Sequence, residues 1–267
     1  MTITIRLIAL CLAVAAGAAT RPAEEPQDAI RPTGRLQLFN QRNLDGWYTF
    51  LRDHHGDDPL HVFTVQDGVL RISGEEWGGV ATSRTFRDYH LLVEWKWGEA
   101  TWGERKDRAR DSGILVHGVG ADGAASGNWL ESIESQIIEG GTGDYILVAG
   151  LHKPSVIAEV RQDGDQVYWQ RDGARRTMNE GRINWYGRDP NWKDVMGFRG
   201  VRDVEHAAGK WNRQEVVARG NMVTTILNGV TVNELSGSSH AAGKIQIQSE
   251  GAEIFVRTVE LRPVDER

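Results

Sequence analysis

Strict alternation of side chains along short segments is the feature that most restricts how this chain can fold. From Leu130 to Ile138, within WLESIESQIIEGGTGD, Ile133 and Ile137 fall on one face of an extended strand. Ser132, Glu134 and Gln136 fall on the other. Glu139 then opens a turn in which Gly140, Gly141 and Gly143 lead to Asp144, letting the backbone bend where side chains would obstruct it. One carboxylate and one amide therefore share a strand face, with two further carboxylates on the loop beyond. The plainer reading, a half-exposed strand with a polar outer face, stands level with a functional one on this stretch alone.

The same pattern recurs along the chain. Leu36–Phe39 opens the fold. His61–Val65 and Val69–Ile72 flank Gln66-Asp67-Gly68, a hairpin signal. His90–Trp97 places Leu91, Val93, Trp95 and Trp97 on one side and Leu92, Glu94 and Lys96 on the other. Ser112–His117 follows a charged segment, and Gln166–Arg171 reads as another strand. Trp211–Ala218, Met222–Leu227 and Val230–Val232 are punctuated by Gly220-Asn221 and by Asn228-Gly229, the strongest type I′ turn signal present. Lys244–Ser249 turns Ile245 and Ile247 inward and Gln246 and Gln248 outward, and Glu253–Leu261 closes the sheet. Residues 181–210 lack alternation and are rich in aromatic and charged groups, so they read as a long functional loop. Many short antiparallel strands with polar outer faces indicate an all-β sandwich or jelly roll.

Residues 1–19 read as a secretory signal peptide. Arg6 precedes an apolar run from Leu7 to Ala19 that is too short to span a membrane. Residues 20–34 carry three of the seven prolines and read as a flexible leader before a single domain over 35–264. The one cysteine, Cys11, lies in the signal segment, so the exported chain has no disulfide, thiol nucleophile or thiolate metal site. Export without disulfides fits a periplasmic or secreted protein with a core large enough to stand unstapled. A formal net charge of −6 and the lack of a long basic run argue against a nucleic-acid partner.

Six blocks occur in order: LFNQRNLDGW, DGVLRISG, DSGILVHG, ESIESQIIEG, KWNRQEVVARGNMVTTILNGVTVN and GKIQIQSEGAEIFVRTVEL. Together they resemble the 3-keto-disaccharide hydrolase family over residues 36–262. NWYGRDPNWKDVMGFRG is similar to a feature of one branch of that family. The resemblance implies a concanavalin A-like jelly roll of two curved antiparallel sheets, with the active site on the concave sheet. It also implies cleavage of glycosides already oxidised to a ketone at C3 of the sugar, by a 3-keto-glucoside lyase, a 2-hydroxy-3-keto-glucal hydratase, or both.

Such chemistry is physically coherent. A C3 ketone acidifies the C2 hydrogen, so one base can drive elimination of the C1 oxygen substituent. An acid for the leaving oxygen and electrophilic help at the C3 oxygen complete the requirement, without the paired carboxylates of ordinary glycosidases. Glu134 is the candidate base or metal ligand, with Gln136 orienting the sugar. His117 ends the DSGILVH strand where many members of the resembled family carry arginine; a histidine there can serve as acid, base or metal ligand. Glu94 and Lys96 are candidates for the same groove, or else a solvated ion pair. Glu139 and Asp144 offer oxygens to a divalent cation or to sugar hydroxyls, although aspartate also suits turns. Gln248, Glu250 and Arg257 are further substrate-binding candidates, although an arginine on an edge-like strand more often serves solubility. In the aromatic loop, Trp185, Tyr186 and Trp192 are surfaces for sugar stacking or anchors for the loop itself, and Arg188 and Asp189 can bind hydroxyls.

Nothing resembles a nucleotide or flavin site, so oxidation at C3 would fall to a separate sugar dehydrogenase. The metal candidates are His117, Glu134, Glu139 and Asp144. Two other classes stay open: a conventional glycoside hydrolase, disfavoured by the single acid on the central strand face, and a non-catalytic carbohydrate-binding module.

Overall fold

The computed structural model describes residues 26–264. The expected signal peptide, residues 1–19, lies outside the described residues. Part of the expected leader does not: Ile30 forms a parallel bridge with Phe86 and packs against the core.

The architecture is an all-β jelly-roll sandwich of two large antiparallel sheets. The first orders Val230–Leu235, Met222–Leu227, Asn212–Arg219, Tyr89–Thr101, Ala252–Pro263, Val69–Ile72 and Phe63–Gln66, with Leu36–Gln37 also paired to Ala252–Pro263. The second orders Arg182–Ile183, Tyr145–Val148, Glu131–Ile138, Asp111–Val119, Ala242–Ser249, Gly78–Thr82 and Trp47–Leu51, with Phe86–Arg87 beside Ala242–Ser249. A separate three-stranded sheet is built from Gln166–Trp169, Val156–Asp163 and Ala174–Met178. Of the two-residue turns read from the sequence, Asp67-Gly68 (φ 50° and 77°) and Asn228-Gly229 (φ 50° and 85°) are left-handed at both positions as a type I′ hairpin demands, whereas in Gly220-Asn221 only the glycine is, at 53°.

Between the sheets lies one core. Leu91, Val93, Trp95 and Trp97 face Ile114, Val116, Ile133, Ile137, Ile245 and Ile247, all buried, as the alternation predicts. Across this apolar layer runs one polar ladder. Trp95 Nε1 donates to Gln214 Oε1 at 3.1 Å, and Gln214 Nε2 donates to Ser135 Oγ at 2.8 Å. The Ser135 hydroxyl pairs with that of Thr225 at 2.8 Å, and Thr225 donates to the Tyr145 hydroxyl at 3.0 Å. Ser135 lies between Ile133 and Ile137, so these bonds set the height and register of the strand behind Glu134 and Gln136. Gln214→Leu would leave the Trp95 indole N–H and the Ser135 hydroxyl short of partners in a dry interior. The expected loss is about 1–3 kcal/mol of unfolding free energy, read as a lower urea midpoint with an unchanged slope.

Candidate active site

The face of Glu131–Ile138 turned away from the core carries Ser132, Glu134 and Gln136, all buried beneath loops. Glu134 is opposite Leu115 on one neighbour and Ile146 on the other. Its carboxyl therefore stands in an apolar row, and burial pushes its pKa up to about 8, with Asp111 adding in the same direction. Next along the face, Gln136 pairs with Gly113, beside Gln248 of the adjacent strand. A Cβ at position 113 would collide with the ends of both Gln248 and Glu134, so this glycine makes the space in which the two meet.

Asp111 enters at the start of its strand, opposite Ile138. Burial raises its pKa to about 7, against the pull of Arg105, whose Nη2 lies 3.3 Å from Asp111 Oδ2. Glu250 is also raised, by burial and by the charges of Asp111 and Glu134. Arg182 supplies positive charge from the edge strand, pairing with Asp144 at 2.7 Å while lowering the pKa of Glu134. Four polar atoms on this face are buried without a hydrogen-bond partner: Asp111 Oδ1, Glu134 Oε1 and both amide atoms of Gln248. Orphaned groups of this kind are costly in a folded protein and are common where a ligand completes the network.

Other candidates are placed differently. His117 is not beside Glu134. The strand bulges between Val116 and Val119, His117 takes a left-handed φ of 55°, and its ring turns into the core edge-on to Tyr89. There Nδ1 donates to the His240 carbonyl at 2.8 Å, and burial depresses the imidazole pKa to about 4, so the ring is neutral. Glu94, Lys96 and Arg257 lie on the outer face of the opposite sheet. Arg257 pairs with Glu94 at 3.0 Å, and both Lys96 and Arg257 cover the Trp211 ring.

Glu139 and Asp144 bind protein rather than open space. Glu139 takes the Arg110 guanidinium at 2.7 Å and the Gly197 N–H at 2.9 Å. Asp144 takes Arg182, Arg188 and the Trp185 N–H. Trp185 is buried against Leu227 and Val232 as a loop anchor. The proposed metal set of His117, Glu134, Glu139 and Asp144 thus does not converge, and among the described residues no three His, Cys, Asp or Glu side chains gather as cation ligands.

Two residues of the site were missed. Asp111 precedes the first apolar residue of its strand and looks like turn chemistry in DSG. Trp77, in EEWGG, stacks on Trp129 at 5.6 Å and is half-buried in the cluster that includes Leu115 and Ile146, the residues flanking Glu134. The Arg52 guanidinium also covers its ring, at 4.8 Å.

A family model described as the 3-keto-alpha-glucoside-1,2-lyase-like domain matches residues 34–262. No curated protein sequence matches the chain. Among solved structures, the chain is similar to a candidate glycosyl hydrolase from Parabacteroides distasonis at 19% identity and TM-score 0.49, covering 87% of this chain and 94% of that one. It is also similar to LamAcat from Zobellia galactanivorans (10% identity, 87% and 97% covered, TM-score 0.46) and to carbohydrate binding module CBM66 from Bacillus subtilis (10%, 80% and 94%, TM-score 0.45).

The raised carboxyl has a consequence for stability. Folded Glu134 holds its proton to about pH 8, whereas an unfolded glutamate releases it near the ordinary value of 4.5. Between those values the folded state binds more protons, so stability falls as pH rises through this window. Thermal unfolding followed from pH 5 to pH 9 should show a declining midpoint, and Glu134→Gln should make the decline shallower.

Proposed function

The chain belongs to the 3-keto-alpha-glucoside-1,2-lyase-like family, and from that premise we propose that it cleaves 3-keto-glucosides by elimination across C1–C2. A carbohydrate-active, glycoside hydrolase-like enzyme is the broader class that membership supports. The observation carrying the narrower reading is the pair Asp111 and Glu134, two buried carboxyls that cannot both ionise easily near neutrality.

Two buried carboxyls, both raised by burial and Glu134 further by the charge of Asp111, so that one stays protonated while the other ionises, suit this chemistry. The ionised member removes the C2 hydrogen as a proton. The electron pair forms the C1–C2 double bond as the C1–O bond breaks, and the protonated member supplies the leaving oxygen with its proton. The products are a 2-hydroxy-3-keto-glucal and the free alcohol. Water adding its hydroxyl to C1 and a proton to C2 would then give the 3-keto sugar, completing a net hydrolysis. The Gln248 amide, which lies against the Glu134 carboxyl and helps lower its pKa but makes no hydrogen bond of good geometry, is the group placed to donate to the C3 oxygen as negative charge develops there. The part of Trp77 left exposed by Trp129 and by Arg52, whose guanidinium lies 4.8 Å from the ring centre, is the apolar surface offered to the sugar. The substrate would come from a separate enzyme that oxidises the sugar at C3. Export through the N-terminal signal peptide, to the periplasm or beyond, belongs to the same proposal.

One observation favours a second reading. The sequence argument against a conventional glycosidase rests on a single acid, yet Asp111 and Glu250 join Glu134 from neighbouring segments. Two carboxyls are what a retaining or inverting mechanism needs.

Incubation with a 3-keto-glucoside and its unoxidised parent in deuterated water, followed by NMR, separates the two. Elimination predicts cleavage of the keto substrate alone, with deuterium at C2 or a visible glucal. Cleavage of the parent overturns it. Asp111→Asn and Glu134→Gln should each lower kcat by roughly 10²–10⁴-fold with the fold intact by circular dichroism. Trp77→Ala should act mainly on KM.

A further inference from the structure

The aromatic loop and the three-stranded sheet border an open cleft of about 340 Å³ lined by Arg161, Arg188, Arg202, Tyr186, Asp189 and Asn191, among others. Three guanidiniums face one carboxylate there, in a chain whose net charge is −6. Arg188 also lines an adjoining cleft of about 330 Å³ with Arg182, Asn184 and Trp192. Arg182 pairs with Ile146, which is itself opposite Glu134, so the guanidinium stands two strands across the same sheet face from that carboxyl. The two clefts therefore lead away from the candidate catalytic face along the sequence Arg182, Asp144, Arg188.

The charges along this route do not cancel. Asp144 is one carboxylate held between two guanidiniums, those of Arg182 and Arg188, which leaves a positive charge over. Arg161 is steadied over the Tyr168 ring at 4.0 Å and lies 3.5 Å from Asp163. Asp189 has one carboxylate oxygen engaged by the Asn191 N–H. Arg202 is exposed and has no hydrogen-bond or ion-pair partner among the described residues. A free guanidinium at the rim, with buried Arg188 at the back, is a fork geometry suited to a planar or tetrahedral oxyanion.

We propose that this cleft is a leaving-group subsite for an oxyanion, so that the enzyme's preferred substrates are glycosides whose aglycone carries a negative charge. The proposal rests on the functional reading above for the word "leaving", but binding of the anion does not depend on turnover. Neutral sugars would enter the catalytic face through Trp77 and the strand amides. The charged aglycone would be held by Arg202 and Arg161 and oriented by the Tyr186 hydroxyl.

The test uses three matched phenyl glucosides bearing a 4-carboxylate, a 4-phosphate or a neutral 4-carboxamide, each in unoxidised and 3-keto form. Calorimetric binding of the unoxidised set to the full chain should favour a charged member over the carboxamide by about tenfold, less at high salt. The better of the carboxylate and the phosphate identifies the source of the oxyanion. Arg202→Ala should erase most of the preference, Arg202→Lys should restore part of it, and turnover of the neutral 3-keto-glucoside should be unchanged in both. Equal binding of charged and neutral members overturns the proposal, as does a preference that survives Arg161→Ala combined with Arg202→Ala. If the preference is present but no 3-keto form is cleaved, the elimination reading fails while the anion subsite stands.

Discussion

A hydrogen-bonded ladder through the middle of an otherwise apolar sandwich governs where everything else can sit. Trp95, Gln214, Ser135, Thr225 and Tyr145 join the two sheets at one level. Apolar side chains alone would tolerate small slides of one sheet over the other, since they fill space without direction. Hydrogen bonds do not, because a displaced partner leaves a buried donor unmet. Ser135 sits in the ladder, so its neighbours Glu134 and Gln136 are carried at a defined position on the reverse side of the same strand. The chemistry on one face is held by the packing on the other.

That reverse face is built against the usual logic of burial. Asp111 and Glu134 are buried with half-buried Glu250 near them, and each is driven toward its neutral form. Arg105 and Arg182 stand at its borders and moderate the effect without forming a bond to Glu134. Gly113 keeps the floor open, while Leu115 and Ile146 keep the walls apolar. A carboxyl kept neutral this way can give a proton at physiological pH, which an exposed one cannot.

Period-two alternation made the sandwich legible, down to the inward isoleucines of Lys244–Ser249 and the outward Glu134. It did not say which sheet a strand joins. Glu94 and Lys96 alternate as cleanly as Glu134 does, yet belong to the opposite layer, because pairing is decided by contacts distant in sequence. His117 was lost to a bulge that reverses the direction of one side chain and leaves no mark in hydrophobicity. Glu139 and Asp144 have the right chemistry, but arginines far along the chain already hold them. Asp111 was hidden for the converse reason, since its significance lies in proximity to Glu134 on the next strand. The six-block resemblance carried the family; the site needed coordinates.

The loop over residues 181–210 is fastened at many points. Trp192 Nε1 donates to the Glu139 carbonyl, and Glu205 accepts from Trp97 at 2.8 Å and Thr142 at 2.7 Å. The backbone N–H of Trp185 is tied to Asp144. Such a segment has lost its conformational freedom before any sugar arrives, so that entropy is lost once, in folding, and not again with every substrate. The groove it borders is consequently a template of fixed shape. On the proposed function, discrimination among glycosides would then rest on fit to a preformed surface.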